Sequence, residues 1–339
     1  MKYQDDVYGT VSITEPVLLD LMGSQVMERL RGVLQHGISA LIGITQPVTR
    51  FEHSVGAMLL VRRLGGGLEE QIAALLHDAS HTAFSHVIDY VFDGHDSQGY
   101  HDEQKEPFLA GSDVPGILGR HGYNWRDFLR EADFPLLEQP APRLCADRLD
   151  YFLRDAQGLG LANPAEIALT LEHLVVADGR IASDSLATAQ WLGITFMAAD
   201  DASWANFREV GLYELTAQAI RRGLAVGAIS EADIWGTDEP FWAKLRAHSD
   251  GELRRTLALV RPETGFVWDE AAPTFWVSTK LRAIDPDVVG NGRLHPLSTL
   301  DPDFARRRAD YLASKQGKWP MRVIPRPDSK GFANPSGLG

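Results

Sequence analysis

The sequence predicts a mainly α-helical protein with minor β structure: a short hairpin and C-terminal strands. Three observations carry that expectation. Apolar residues recur at three- and four-residue spacing along most of the chain. Capping hydroxyls, early prolines and terminal glycines bracket those stretches. Strand-like alternation is confined to a few short runs. With 44% hydrophobic and 23% charged residues in 339, the chain has ample apolar material for a sizeable core.

Up to about Ile13 the chain reads as a turn or short strands around Gly9. Thr14, Glu15 and Pro16 make a helix start, a capping hydroxyl followed by proline in the first turn, and Val17, Leu18, Leu21 and Met22 follow at helical spacing. Ser24 is a second N-cap, leading a helix through Val26, Leu30, Val33 and Leu34 to a stop at Gly37. The next helix covers Arg50 to Leu64 and ends at Gly65-Gly66-Gly67. Leu68 to His77 is short and apolar on one face. Phe84 to Phe92 and His101 to Leu109 are further helices, with a loop from Gly94 to Gly99 between them. Gly111 to Pro142 is punctuated by Gly and Pro and holds short helices at best. Leu144 to Gln157 is a strong helix, broken by Gly158 to Pro164.

Val175 to Ile181 resembles a β-hairpin around Asp178-Gly179. Helices return from Ser185 to Leu245, interrupted near Asp200-Asp201 and at Gly223. Phe275 to Ile284 and Met321 to Ile324 are strand-like, and the tail from Pro325 is expected to be disordered. No internal repeat or low-complexity tract stands out, and the scattered tryptophans, such as Trp191, Trp204 and Trp276, read as core.

The formal net charge of −13 repels both the phosphate backbone of nucleic acid and anionic membranes, so neither a nucleic-acid polymer nor a membrane is an expected partner. A local cationic pocket or a metal can still reverse the field for a small phosphorylated substrate. Cys145 is the only cysteine, which forbids an intramolecular disulfide and fits a reducing compartment. No apolar h-region follows the first residues, and stretches such as Ile38 to Ile44 are too short to span a membrane. The expected location is cytoplasmic.

Seven of the eleven histidines (His36, His53, His77, His81, His86, His95 and His101) fall between residues 36 and 101. Clustered imidazoles beside carboxylates are what a metal site needs. His77-Asp78 is an adjacent pair at the end of an apolar helix, His81 and His86 follow closely, and His53 lies on the preceding helix. The best source of a fourth ligand is the acidic helix from Asp147 to Asp155. There Asp147, Tyr151 and Asp155 share a face at i, i+4 and i+8, with Arg148 beside them to meet a phosphate. Asp150 and Arg154 lie on another face and read as a surface ion pair. His36 and His95 read as solvent-exposed loop or helix-end residues.

Three segments together are specific: Thr49-Arg50-Phe51-Glu52-His53-Ser54-Val55-Gly56, then Leu75-Leu76-His77-Asp78-Ala79-Ser80-His81-Thr82-Ala83-Phe84-Ser85-His86, then Asp147-Arg148-Leu149-Asp150-Tyr151-Phe152-Leu153-Arg154-Asp155. In this order and spacing they resemble the HD-domain phosphohydrolases, most closely the branch of the deoxynucleoside triphosphate triphosphohydrolases. The resemblance starts near Glu28, is strong to Asp155, and weakens through Tyr213-Glu214-Leu215 and from Lys280 to Phe304.

The resemblance implies an HD-domain helical core with catalytic residues over 1–160. A helical extension with minor β over 161–325 would complete the same globule, with a disordered tail over 326–339. It implies His53, His77, Asp78 and Asp147 as ligands of a divalent transition metal (Mn, Fe, Ni, Co or Zn, with Mg as a further candidate), one or two per site. His81 and His86 match histidines beside the reacting phosphate, His86 as proton donor to the leaving oxygen and His81 as a stabiliser of developing charge. His101 matches a further active-site histidine. Arg50, Arg148, Tyr151 and Asp155 match contacts to the substrate's phosphates and sugar, and Gln35 a residue near sugar and base.

Each role has a structural alternative. Arg50 and Arg148 can pair with Glu52 or Asp147, His81 and His86 can orient ligands, Tyr151 and Asp155 can pack and cap the helix, His101 can anchor a loop, and Gln35 can bond backbone near Gly37. In the stretch Ala199-Asp200-Asp201-Ala202-Ser203-Trp204 the triphosphohydrolases resembled usually carry an Arg, and acidic residues there would not favour a triphosphate.

The leading expectation is hydrolysis of a (deoxy)nucleoside triphosphate to nucleoside plus triphosphate by a self-associating enzyme. The alternatives are a monophosphate or other phosphomonoester phosphatase, a two-iron oxygenase of the same superfamily, and a non-catalytic nucleotide sensor.

Overall fold

The computed structural model describes residues 1–92 and 99–324. It is 53% helical with 13% strand, so the chain is mainly α with minor β. A hairpin of β1 (Lys2–Asp5) and β2 (Gly9–Ser12) opens it. Then come α1 (Pro16–Met22), α2 (Gln25–Leu30), α3 (Ile38–Leu41), α4 (Arg50–Arg63), α5 (Leu68–Leu76), α6 (Val87–Val91), α7 (Tyr100–Ala110), α8 (Val114–Arg120) and α9 (Ala146–Gly158). Helix α4 is central. Phe51, His53, Ser54 and every residue from Val55 to Val61 are buried, and α4 packs along both α5 and α9. A capping box sets its first turn: Thr49 Oγ1 accepts from the Glu52 amide, and Glu52 accepts from the Thr49 amide at 2.8 Å.

The second half runs α10 (Pro164–Glu172), β3 (Leu174–Ala177), β4 (Arg180–Ser183), α11 (Leu186–Ala199), a π-helical turn (Asp200–Trp204) and α12 (Phe207–Ala225). It continues with α13 (Glu231–Ile234), α14 (Asp238–Ala247), α15 (Gly251–Leu257), β5 (Gly265–Trp268), β6 (Phe275–Val277), β7 (Asp287–Gly290), β8 (Arg293–Pro296), α16 (Leu297–Leu300), α17 (Pro302–Lys315) and β9 (Trp319–Ile324). Strands β3-β4-β7-β8 form one sheet, parallel only between β4 and β7, and β5-β9-β6 form an antiparallel one. The Asp178-Gly179 turn joins β3 to β4 with both residues at positive φ, 51° and 68°, as a tight hairpin turn requires.

One apolar cluster gathers around α4, α5 and α9, with Phe51, Leu75, Phe152 and Phe196 buried. A second gathers around α12 with Phe84, Tyr90, Val210 and Trp242. A cavity of about 500 Å³ lies where they meet, since Phe196 of the first and Val210 of the second both line it.

Local expectation and structure part at points where distant residues intervene. Glu15, not Thr14, is the N-cap residue of α1, and it makes no side-chain cap. The helix expected to run to Gly37 ends at Leu30, because the Leu34 amide donates to Asp238 and Val33 accepts from the Arg50 amide. The helix expected from Phe84 starts at Val87. Phe84 and Ser85 have φ of 63° and 49°, and the Phe84 amide donates to Asp238 Oδ1 at 2.8 Å. Gly37 permits that close approach: a Cβ there would lie 2.4 Å from the Phe84 carbonyl oxygen. Gly223 does not interrupt α12, as it makes room for Leu245, whose Cδ2 would lie 2.4 Å from an added Cβ. Of the strand expected over Phe275 to Ile284, only Phe275–Val277 pairs. Strands β5, β7 and β8 and helices α15 and α17 had no clear sequence signal. Residues 94–98 of the expected loop and the expected tail lie outside the described residues.

Candidate metal centre and substrate pocket

The capping box of α4 aims Arg50 and His53, three residues apart, at the same side of the helix. Helix α5 ends at Leu76 and delivers His77 as its C-cap residue and Asp78 one step beyond. Helix α9 brings Asp147 in its first turn. His53 Nε2 lies 3.2 Å from His77 Nε2 and 3.0 Å from Asp147 Oδ1, and His77 Nε2 lies 3.5 Å from Asp147 Oδ1. Asp78 Oδ1 is 3.4 Å from His77 Nε2, and Asp78 Oδ2 is 3.7 Å from His53 Nε2.

These separations fit a shared cation. Ligand atoms about 2.1 Å from one ion lie about 3.0–3.4 Å apart in octahedral or tetrahedral shells. The protonation pattern fits as well. His53 Nδ1 donates to Asp150 Oδ2 at 2.8 Å, and His77 Nδ1 donates to the Ala74 carbonyl at 2.7 Å. Each Nε2 therefore carries a lone pair, and two lone pairs 3.2 Å apart repel unless a positive charge sits between them. Burial opposes charge on His77, yet Asp78 and Asp147 outweigh it and raise the imidazole to about 10, so the site demands a cation of some kind. The buried carbonyl end of α5 adds its partial negative charge at His77.

Beside this set lies a second one. Asp78, His81 and His101 offer donor atoms within 4.8 Å of one another, so Asp78 stands between two groups of imidazoles. His81 Nε2 is 3.2 Å from Asp78 Oδ1, and its ring stacks on His101 with centroids 3.8 Å apart. His86 meets His81 edge-on at 5.1 Å, and its Nδ1 donates to Asp89 Oδ2 at 3.0 Å. Burial holds His81, His86 and His101 well below the usual imidazole range. The Arg50 charge adds to this at His81 and His86, and the neighbouring histidines add to it at His101. A third donor group, Glu138, Cys145 and Asp147, is weaker, because burial pushes the Cys145 thiol well above its ordinary value.

The other end of the cavity is aromatic and hydrogen-bonding. Tyr151, Phe196 and Trp204 line it, with Tyr151 edge-on to Trp204 at 4.8 Å. Asp155 Oδ1 meets His36 Nε2 at 2.8 Å, Asp155 Oδ2 accepts from Trp204 Nε1 at 2.7 Å, and Tyr213 donates to the His36 carbonyl. Gln35 lines the same end, and its Oε1 is buried without a hydrogen-bond partner among the described residues.

The structure thus brings Gln35, Arg50, His77, Asp78, His81, His86, His101, Asp147, Arg148, Tyr151 and Asp155 to one cavity, with His53 directly behind its metal wall. Several side chains are engaged in ways the sequence did not suggest. Arg50 donates to Asp78 Oδ2 at 2.7 Å and to Ser85 Oγ at 3.0 Å. Arg148 donates to the Arg143 carbonyl at 2.7 Å and to Glu138. Asp155 holds His36 and Trp204.

Two expectations are corrected. His36 is buried, 6% exposed, because Asp155 holds its ring, and His95 lies outside the described residues. Asp150 and Arg154 form a buried pair rather than a surface one. Asp150 carries His53, while Arg154 reaches Asp5 of β1 at 2.8 Å. Gly56 was the available signal, since a Cβ there would lie 2.0 Å from Asp150 Oδ1 and displace that pair or force α4 off α9.

Sequence reasoning also missed Asp102, Glu209, Lys280 and Arg282, all of which line the cavity. Burial and the nearby Glu131 lift the Asp102 carboxyl to about 7. Asp102 sits next to His101 in sequence, which was a usable hint; Glu209, Lys280 and Arg282 had none.

A helical core holding a cation-demanding set of imidazoles and carboxylates is a candidate divalent-metal centre. A family model described as the HD domain matches residues 50–155. The chain is 37% identical over 321 residues to the metal-dependent phosphohydrolase cns2 of Cordyceps militaris, covering 92% of each protein. A crystal structure of a hypothetical protein from Aquifex aeolicus has the same fold, with a TM-score of 0.72 at 19% identity over 95% of each chain. A shorter likeness, 31% over 105 residues, links it to the deoxynucleoside triphosphate triphosphohydrolase SAMHD1 of Danio rerio, across 26% of this chain and 17% of that protein. The chain belongs to the HD-domain metal-dependent phosphohydrolases. Among the described residues no helix is long and apolar enough to cross a membrane.

Proposed function

We propose that this phosphohydrolase acts on a phosphorylated nucleoside, with a (deoxy)nucleoside triphosphate giving nucleoside plus triphosphate as the leading reaction. One observation carries the reading: the two-ended cavity. Metal donors and cationic side chains line one end, and Tyr151, Phe196, Trp204, Gln35 and His36 line the other. A nucleotide has the same two ends, charged phosphates and a planar base with sugar hydroxyls. The volume of about 500 Å³ is that of a small-molecule site. The partial likeness to SAMHD1 supports the same reading.

Held by His53, His77, Asp78 and Asp147, a divalent transition metal (Mn, Fe, Ni, Co or Zn), or Mg as a further candidate, would supply Lewis acidity and a water of lowered pKa. The position of Asp78 between two imidazole groups favours two cations per chain over one. Arg50, steadied by Asp78 and Ser85, keeps a fixed positive charge beside the reacting group. His86 donates the proton to the leaving oxygen. In the substrate-free pocket burial and the charges of Arg50, Arg282 and Lys280 hold it neutral. A bound phosphate offsets those charges and lets His86 take up the proton it later gives. Asp89 fixes its Nδ1 and so aims Nε2. Cytoplasmic residence rests on the lone, buried Cys145. Self-association is part of the proposal and is read by analytical ultracentrifugation.

The test is a product assay. Metal-stripped protein, re-supplied with Mn²⁺, is incubated with nucleoside mono-, di- and triphosphates, and the products are resolved by anion exchange. Nucleoside plus intact triphosphate is the expected outcome. Orthophosphate from monophosphates alone replaces the leading reaction with a nucleotidase. Silence across the panel overturns the nucleoside reading, and two irons with oxygen consumption would then favour the oxygenase.

A further inference from the structure

We propose that Lys280 and Arg282 bind the substrate's phosphate oxygens, and that Asp200 and Tyr311 are positioning residues that hold them in place. The inference rests on the phosphohydrolase chemistry of the chain and not on the nucleoside reading.

Residues 278–286 connect β6 to β7 without regular secondary structure. This strap contributes Lys280, Leu281, Arg282, Ala283 and Ile284 to the lining of the cavity. It is pinned along its length. The Arg282 amide donates to Asp200 Oδ2 at 3.2 Å, and Tyr311 of α17 donates to the same oxygen at 2.8 Å. Arg308 of α17 donates to the carbonyls of Ile284 and Ala283, at 3.2 and 3.3 Å. The Asp285 amide donates to the Pro142 carbonyl at 2.8 Å, just before α9. An irregular segment anchored from three sides delivers its cations pre-positioned, which is how anions are best stabilised.

The charges lie where a phosphate would need them. Arg282 lines the same cavity as His86, Tyr151 and Tyr213. Lys280 lines it together with the metal donors His77, Asp78 and Asp147. The same cavity is lined by the carboxylates Asp78, Asp102, Glu131, Glu138 and Asp147. An anion reaching the metal donors past those carboxylates needs cations in the same cavity. Arg148 donates to the Gln139 and Arg143 carbonyls and to Glu138, and Arg282 to the Lys280 carbonyl at 3.2 Å, so the strap adds two cations to a wall otherwise rich in carboxylates.

The strap also answers the difficulty raised by the acidic stretch from Ala199 to Trp204. Neither Asp200 nor Asp201 lines the cavity. Asp200 is fully buried against the strap and Tyr311, and Asp201 pairs with Lys315. The carboxylate expected to repel a phosphate is instead the anchor of an arginine that faces one.

The experiment is calorimetry of inorganic phosphate binding to the full chain loaded with Mn²⁺, alongside Mn²⁺ binding to the metal-stripped chain. Arg282→Ala and Lys280→Ala are each expected to weaken phosphate by about tenfold, the loss of one charge-assisted contact. Mn²⁺ affinity and melting temperature should stay near those of the unmodified protein. Arg282→Lys should retain part of the affinity. Asp200→Ala should weaken phosphate by about threefold and raise KM more than it lowers kcat, with Asp200→Asn restoring most of the loss. Where Arg282→Ala does not fold, Arg282→Gln and Lys280→Ala carry the test. Unchanged phosphate binding in the cation variants overturns the proposal, as does a loss of Mn²⁺ affinity equal to the loss of phosphate. Tight phosphate binding that depends on the strap, with no nucleotide turned over, sinks the nucleoside reading alone.

Discussion

On one side of the pocket the functional side chains come from α4, α5 and α9; on the other they come from a strap and a π-helical turn. On the helical side, spacing does the placing. Arg50 and His53 are three residues apart on one helix, His77 and Asp78 follow the last turn of the next, and Asp147, Tyr151 and Asp155 recur every four residues on the third. On the strap side no period exists. Lys280 and Arg282 reach the cavity because Asp200, Tyr311, Arg308 and Pro142 hold the backbone that carries them. The helical side is rigid through burial; the strap side is rigid through individual hydrogen bonds. A single lost contact should therefore be felt differently on the two sides, as metal affinity and stability on the first and as substrate affinity on the second.

The largest expected effect is at the metal wall. His77→Ala removes one donor and leaves the carboxylates of Asp78 and Asp147 facing each other, so metal content and hydrolysis should both fall to background. Retained turnover with a full metal complement would break the proposed assignment. Asp150→Asn comes next. It weakens the hold on His53 Nδ1 and should lower metal affinity by about 10- to 100-fold. It also strips Arg154 of one buried partner, at a cost of about 3 kcal/mol in denaturant unfolding. Metal affinity equal to that of the unmodified protein would mean that Asp150 serves only Arg154.

Gly56→Ala probes the same wall through packing. A methyl 2.0 Å from Asp150 Oδ1 and 2.1 Å from an Arg154 guanidinium nitrogen must displace that buried pair or push α4 from α9. A loss of about 1–3 kcal/mol is expected in thermal or chemical unfolding, together with weaker metal binding. A stability loss without any change in metal affinity would show that His53 tolerates the shift. The smallest effect belongs to the strap side. Tyr311→Phe deletes one hydrogen bond to Asp200 and should cost about 1 kcal/mol of stability. It should raise KM severalfold while metal content stays unchanged, and lost metal would erase the distinction between the two walls.

Much of the helical wall was legible in the sequence because a helix writes its faces into the chain at fixed intervals. The helix from Arg50 to Leu64 and the paired His77-Asp78 needed no distant partner to be read. What stayed hidden was hidden for a physical reason. Asp150 and Arg154 have the spacing of an exposed helical ion pair, and only the close passage of α4 at Gly56 puts them inside. His36 looked like a loop residue until Asp155, 119 positions away, closed on its ring. Phe84 and Ser85 have apolar and helical surroundings, but Asp238 and the space beside Gly37 hold them at positive φ.

The residues alone determined the helical class, the minor hairpin and the clustering of imidazoles beside carboxylates, because periodicity and donor chemistry are local properties; the particular ligand set was what the resemblance to the HD-domain phosphohydrolases implied. The tertiary structure decided which charges line the cavity. Whether Asp200 repels a phosphate or anchors an arginine depends on which way a π-helical turn faces. Whether Lys280 and Arg282 belong to a strand or to the pocket depends on hydrogen bonds from α17 and from the segment before α9. Those bonds join segments more than 20 and more than 140 residues apart, and no window of sequence contains both partners.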